Sequence, residues 1–182
     1  MPAQARTESP SPTPPGLTRF NAEPAEDIER TLLTCLHSLR WARRLTDHRP
    51  YPDLDSLLAA ADEAAYDLTP GDLSEALAAE ALPALPDGVY SAAHTALGAA
   101  HAAYEARFGH VFVICLDGTP PTEVLNTILA AIRSRLANDP EEERVVAAEE
   151  LRRLARERLG NALRGAGLQH VPAPPRSATS HN

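Results

Sequence analysis

His94, His101 and Glu105 stand at i, i+7 and i+11 with Gly98 between them, so a helix through this stretch carries three metal-ligating or proton-moving groups on one face. Helical divalent-metal sites place their ligands at i and i+3 or i+4. Here the intervening turn holds only glycine, a third ligand has to come from elsewhere, and the plainer expectation is a solvated polar face with no metal. His110 follows as a further imidazole. The two cysteines, Cys35 and Cys115, have no Cys-x-x-Cys spacing and read as buried free thiols.

Other common chemistries have no signature. The chain contains no G-x-S-x-G elbow, no phosphate-binding loop and no dinucleotide glycine pattern. The run Glu141 to Arg144, continued by Glu149, Glu150, Arg152, Arg153, Arg156, Glu157 and Arg158, forms i,i+3 and i,i+4 charge pairs on a helix, with at least one arginine expected to face inward. The 17 Lys and Arg against 25 Asp and Glu give a net charge of −8, which repels phosphate backbones and anionic lipid surfaces. No nucleic-acid or membrane partner is expected, and the opening residues show no apolar secretory core, so a cytoplasmic location is expected.

The elements that position these groups are helices. Capping side chains before a first-turn proline mark helix starts at Thr69-Pro70, Thr119-Pro120-Pro121 and Asp139-Pro140. Apolar residues recur at helical spacing through Leu54, Leu57, Leu58 and Ala61, through Val124 to Leu136, and through Leu151 to Leu159. Earlier helices are expected over about 24–38 and 41–46, and a long one over 91–108. The prediction is an all-α, single compact bundle of six to seven helices spanning 17–164, between a disordered proline-rich tail at 1–16 and a second disordered tail at 165–182.

One segment departs from this pattern. Val111-Phe112-Val113-Ile114-Cys115-Leu116 is a continuous β-prone run, so a short extended segment is expected over about 110–116. With no second strand to pair with, its main-chain groups must meet side chains, water or a ligand. Lining a pocket and serving as a buried connector are both consistent with that.

The residues Tyr104 to Cys115 (YEARFGHVFVIC), Arg135-Leu136-Ala137-Asn138 with Glu143, and Arg156-Glu157-Arg158-Leu159 together resemble the OHCU decarboxylase family. Leu17 to Asn21, Trp41, Arg49-Pro50-Tyr51 and Leu57-Leu58 extend the likeness into the N-terminal half, so that it covers about 17–164. The resemblance implies a helical, cofactor-free enzyme that decarboxylates 2-oxo-4-hydroxy-4-carboxy-5-ureidoimidazoline to (S)-allantoin in urate breakdown. It also implies a homodimer, for which the sequence itself shows no self-complementary face.

By the same resemblance Arg158 binds substrate, and the backbone of Gly109, His110, Val111, Phe112, Val113 and Ile114 lines the pocket. The family's His-Pro dipeptide is absent, with Glu80 at the histidine position, and its Ser-x-x-Glu-Gln element has no counterpart before Tyr104. Three expectations follow. The chain decarboxylates with a substitute acid or base, such as His94, His101 or His110. Or it is an inactive paralogue that binds a ureide, a purine-like ligand or a pathway partner. Or Glu80 serves a different reaction as a protonated carboxylic acid.

Overall fold

The computed structural model describes residues 14–85 and 91–165, and the tail expectations fall largely outside these. Among the described residues eight helices follow in order: α1 Pro15–Ala22, α2 Ala25–Cys35, α3 Leu39–Asp47, α4 Leu54–Tyr66, α5 Pro70–Ala79, α6 Ser91–Phe108, α7 Val124–Arg135 and α8 Pro140–Leu163. The fold is all-α as expected, with no strand among the described residues. The count exceeds six to seven because α1 begins at Pro15, inside the stretch read as tail. Pro15 is pre-set for a first helical turn, and Leu17 and Phe20, one turn apart, are both buried.

Helix α8 is the spine, packing against α1, α2 and α4. Its start is fixed by Asp139, whose carboxylate accepts from the N–H groups of Glu141 and Glu142 at 2.9 Å, while Glu142 accepts from the Asp139 N–H at 3.1 Å. Ala147, Leu151, Ala155 and Leu159, spaced by four, are buried along one stripe of α8. They meet Leu57, Leu58, Ala61 and Ala64 of α4 in the main core. Trp41 on α3 closes this layer and donates from Nε1 to the Ala61 carbonyl at 2.9 Å. The indole is thus buried without leaving its N–H unpaired.

Helices α6 and α7 form a second, smaller core through Leu97, Tyr104, Val124, Ile128 and Ile132. The expected extended segment runs between the two cores. Because side chains alternate across extended backbone, Val113 enters the main core and Phe112 the smaller one. The segment is therefore a strut that joins the two clusters, made of extended main chain outside any sheet among the described residues.

Candidate functional site

Helix α5 carries the first charged residue of the site. Thr69 opens it with a reciprocal capping box to Asp72, worth about 1 kcal/mol. The helix ends at Glu80, whose ψ of 147° turns the chain into extended form. From there the Glu80 carboxylate meets Arg158 of α8, which donates from Nη1 to Oε1 at 2.7 Å and from Nη2 to Oε2 at 2.8 Å. This is the parallel, bidentate fork that makes arginine–carboxylate pairs strong. The Glu80 side chain is only 6% exposed, against 37% for Arg158.

Arg158 also donates to the carbonyl of Cys35, the last residue of α2, at 3.1 Å. The guanidinium thus ties the C-terminal ends of two helices to α8, where helix dipoles favour a cation. The bonds to Glu80, more than any other influence, hold its pKa above the ordinary guanidinium value.

A cavity of about 370 Å³ lies beside this pair, walled by the Ala81–Ala84 chain, Val113, Ile114, Leu116, Leu154 and Glu157. Its charged groups are Glu80, Glu157 and Arg158, so the lining is net negative. Glu157 accepts a long bond from Cys115 Sγ at 3.5 Å. Burial raises the Cys115 thiol pKa, and the carboxylates of Glu157 and Glu150 raise it further. No imidazole stands among the described residues of this lining.

The main chain of the extended segment finds side-chain partners. Arg135 Nη1 donates to the Val113 carbonyl at 2.6 Å, and the Cys115 N–H donates to Glu150 Oε2 at 2.7 Å. The run Gly109 to Ile114 does not line one pocket. Gly109, His110 and Val111 border a separate groove of about 550 Å³ with Leu73, Leu77, Glu105 and Phe108. Phe112 is fully buried, and only Val113 and Ile114 reach the Arg158 cavity.

The histidines are dispersed. His94 is exposed on α6, His101 is buried against Phe112 with ring centroids 6.0 Å apart, and His110 lies in the groove beyond. Neither they nor Glu105 belong to any metal-holding group of three or more acidic, histidine or cysteine side chains among the described residues.

The OHCU decarboxylase family model matches residues 21–87 and 86–160. The chain belongs to the OHCU decarboxylase family. Two solved structures share the fold. One is a crystal structure of (S)-allantoin synthase, 22% identical at a TM-score of 0.65, over 81% of this chain and 54% of that one. The other is a crystal structure of OHCU decarboxylase in the presence of (S)-allantoin, 21% identical at a TM-score of 0.63, over 78% of this chain and 99% of that one. The present chain thus spans about half the length of the first and nearly all of the second. No curated protein matches the sequence.

Glu80, expected at the family's histidine position, borders the cavity as the partner of Arg158 and not as a free acid. Sequence reasoning placed both residues in the site without pairing them, since a separation of 78 positions leaves no local signal. A second buried group also went unread. Arg135, 7% exposed, donates from Nε to Glu143 Oε1 at 2.8 Å and from Nη2 to Tyr104 Oη at 3.1 Å. Tyr104 in turn donates to Glu143, and Asn138 Nδ2 donates to Glu143 Oε2 at 2.9 Å. Burial and the bond to Glu143 raise the Tyr104 pKa well above the usual phenol range, which keeps the hydroxyl protonated. All four residues lie in the stretches that resemble the family, and their shared task here is to hold the extended segment between the two cores.

Proposed function

We propose that this family member binds a small ureide-type molecule in the Arg158 cavity and does not decarboxylate it. The bidentate Glu80–Arg158 pair carries this reading. A carboxylate-bearing substrate needs the guanidinium that Glu80 already neutralises. To displace Glu80 it would have to break two charge-assisted hydrogen bonds and strand a carboxylate that is 6% exposed.

The chemistry points the same way. Decarboxylation leaves electron density on the carbon that lost CO₂, and the protein must stabilise that charge and return a proton to one face. The described cavity wall offers two carboxylates, one occupied guanidinium and a raised-pKa thiol beside Glu157. None is an imidazole, the side chain that would fill the proton-donor role. The cavity still has the size and polar rim of a small-ligand site, and the solved OHCU decarboxylase of the same fold was crystallised with (S)-allantoin.

The test generates the ureidoimidazoline in situ from urate and follows optically active allantoin by circular dichroism. Spontaneous decay gives racemate. A trace matching buffer is expected. Enantiomeric product forming faster than background overturns the reading and restores a decarboxylase with its proton donor elsewhere.

A further inference from the structure

We propose that Glu80 is the specificity-determining residue of the Arg158 cavity, selecting uncharged or cationic N–H donors and refusing carboxylates. This deepens the ligand-binding reading above and rests on it.

The argument is one of hydrogen-bond accounting. Arg158 is the only cation in the described lining, and three of its N–H bonds are taken by Glu80 and the Cys35 carbonyl. An incoming anion therefore meets a guanidinium whose charge Glu80 already balances, and it meets a second carboxylate on Glu157. Glu157 keeps acceptor capacity, because its contact in the protein is a single long bond from a thiol at 3.5 Å. A urea, amidine or guanidine can donate to Glu157, and its flat face fits the apolar walls of Ile114, Leu116 and Leu154. A carboxylate at the same place finds at most the two N–H groups that Arg158 has left, on a guanidinium already balanced by Glu80, and suffers repulsion from both acids. Glu80 thereby acts as a built-in carboxylate that occupies the anion seat.

The charge balance predicts what removing that carboxylate does. In Glu80→Gln the side chain keeps its shape, Arg158 keeps its bond to Cys35, and the lining becomes net neutral with a partly unpaired guanidinium. A carboxylate can then take the vacated bonds.

The experiment measures binding by calorimetry with two probes, neutral allantoin and its ring-opened acid, allantoate. Wild-type chain is expected to prefer allantoin by about tenfold or more, the order set by one mispaired charged hydrogen bond. Glu80→Gln is expected to shift that ratio toward allantoate by about tenfold or more, at an unfolding temperature that shows the chain intact. The double variant Glu80→Gln/Arg158→Gln, in which the cation is also gone, should lose the gained allantoate binding.

A wild-type chain that binds allantoate as tightly as allantoin overturns the inference. So does an unchanged ratio in Glu80→Gln, or the absence of saturable binding in both proteins. Enantioselective product in the dichroism assay would instead defeat the non-catalytic reading, and it leaves these binding ratios to stand or fall separately.

Discussion

Glu80 and Arg158, one at the end of α5 and the other near the end of α8, are joined by two parallel hydrogen bonds of 2.7 and 2.8 Å, yet they are exposed unequally, at 6% and 37% of their side chains. The imbalance gives the pair an asymmetric energetic signature. Removing the carboxylate leaves a guanidinium that keeps its Cys35 bond and reaches water. Removing the guanidinium leaves a nearly buried carboxylate with no cation.

Arg158→Ala is therefore expected to destabilise the fold by about 2–4 kcal/mol and Glu80→Ala by about 1–2 kcal/mol. A double-mutant cycle by urea denaturation should give a coupling of about 1–2 kcal/mol, moderated by the solvent access of Arg158. Equal costs for the two single variants would show that Glu80 is solvated in solution.

The Arg135 group predicts a larger loss. Glu143 is 0% exposed, and Arg135 donates to it, to Tyr104 and to the Val113 carbonyl. Arg135→Met leaves a buried carboxylate without its cation and releases the extended segment, at a cost of about 3–5 kcal/mol. Tyr104→Phe removes one hydroxyl from the same group and should cost about 1–2 kcal/mol. Chemical denaturation orders the two. A Tyr104→Phe loss as large as that of Arg135→Met would mean that the phenol, and not the ion pair, anchors the segment.

Much of this fold could be read from helix punctuation. Thr69-Pro70 and Asp139-Pro140 each place a capping side chain before a first-turn proline, and α5 and α8 start there. Thr119-Pro120-Pro121 misplaced α7 by a few residues. Pro120 to Glu123 form a turn, closed by the Glu123 N–H to the Pro120 carbonyl at 2.9 Å, before regular helix begins at Val124. Helix α1 was hidden because Pro14-Pro15-Gly16 has the composition of a tail, while its two buried residues, Leu17 and Phe20, make too short a pattern to stand out. The extended run was legible from its β-branched content, but which residues reach which cavity was not. Alternation across two cores, together with side chains from distant helices, decides that. The site's central pair was illegible for the same reason: type and family position can nominate Glu80 and Arg158, but only the folded chain, which brings the end of α5 beside Arg158 of α8, makes them partners.

The short helix α1 has its own test. A Cβ added at Gly16 would stand 2.0 Å from the carbonyl oxygen of Leu163, a backbone atom with no rotamer to move. Gly16→Ala therefore has to push α1 off the end of α8, uncovering Leu17 and Phe20. A loss of about 1–3 kcal/mol is expected, with earlier proteolytic cleavage near α1 than in wild type. An unchanged melting temperature would mean that α1 does not rest against Leu163 in solution.

His101 supplies the pH dependence. Its ring is buried against Phe112, its Nε2 has no hydrogen-bond partner, and burial holds its pKa below the ordinary value of 6.5, with Glu105 opposing the shift. The folded state thus binds the proton less readily than the unfolded state. The sign follows directly: stability contributed by neutral His101 is fully present above the unfolded pKa near 6.5 and declines as pH falls below it, until the folded pKa is passed. The slope in that window cannot exceed about 1.4 kcal/mol per pH unit for a single proton. His101→Leu removes the titrating group and the unpaired nitrogen together. The variant should equal or exceed wild type at pH 7 by up to about 1 kcal/mol, and the gap should widen on acidification from pH 6.5 toward 5. Carboxylates titrate in both proteins, so the quantity to follow is the difference in unfolding free energy between them. A difference that stays flat over this interval would show that His101 reaches solvent and titrates alike in both states.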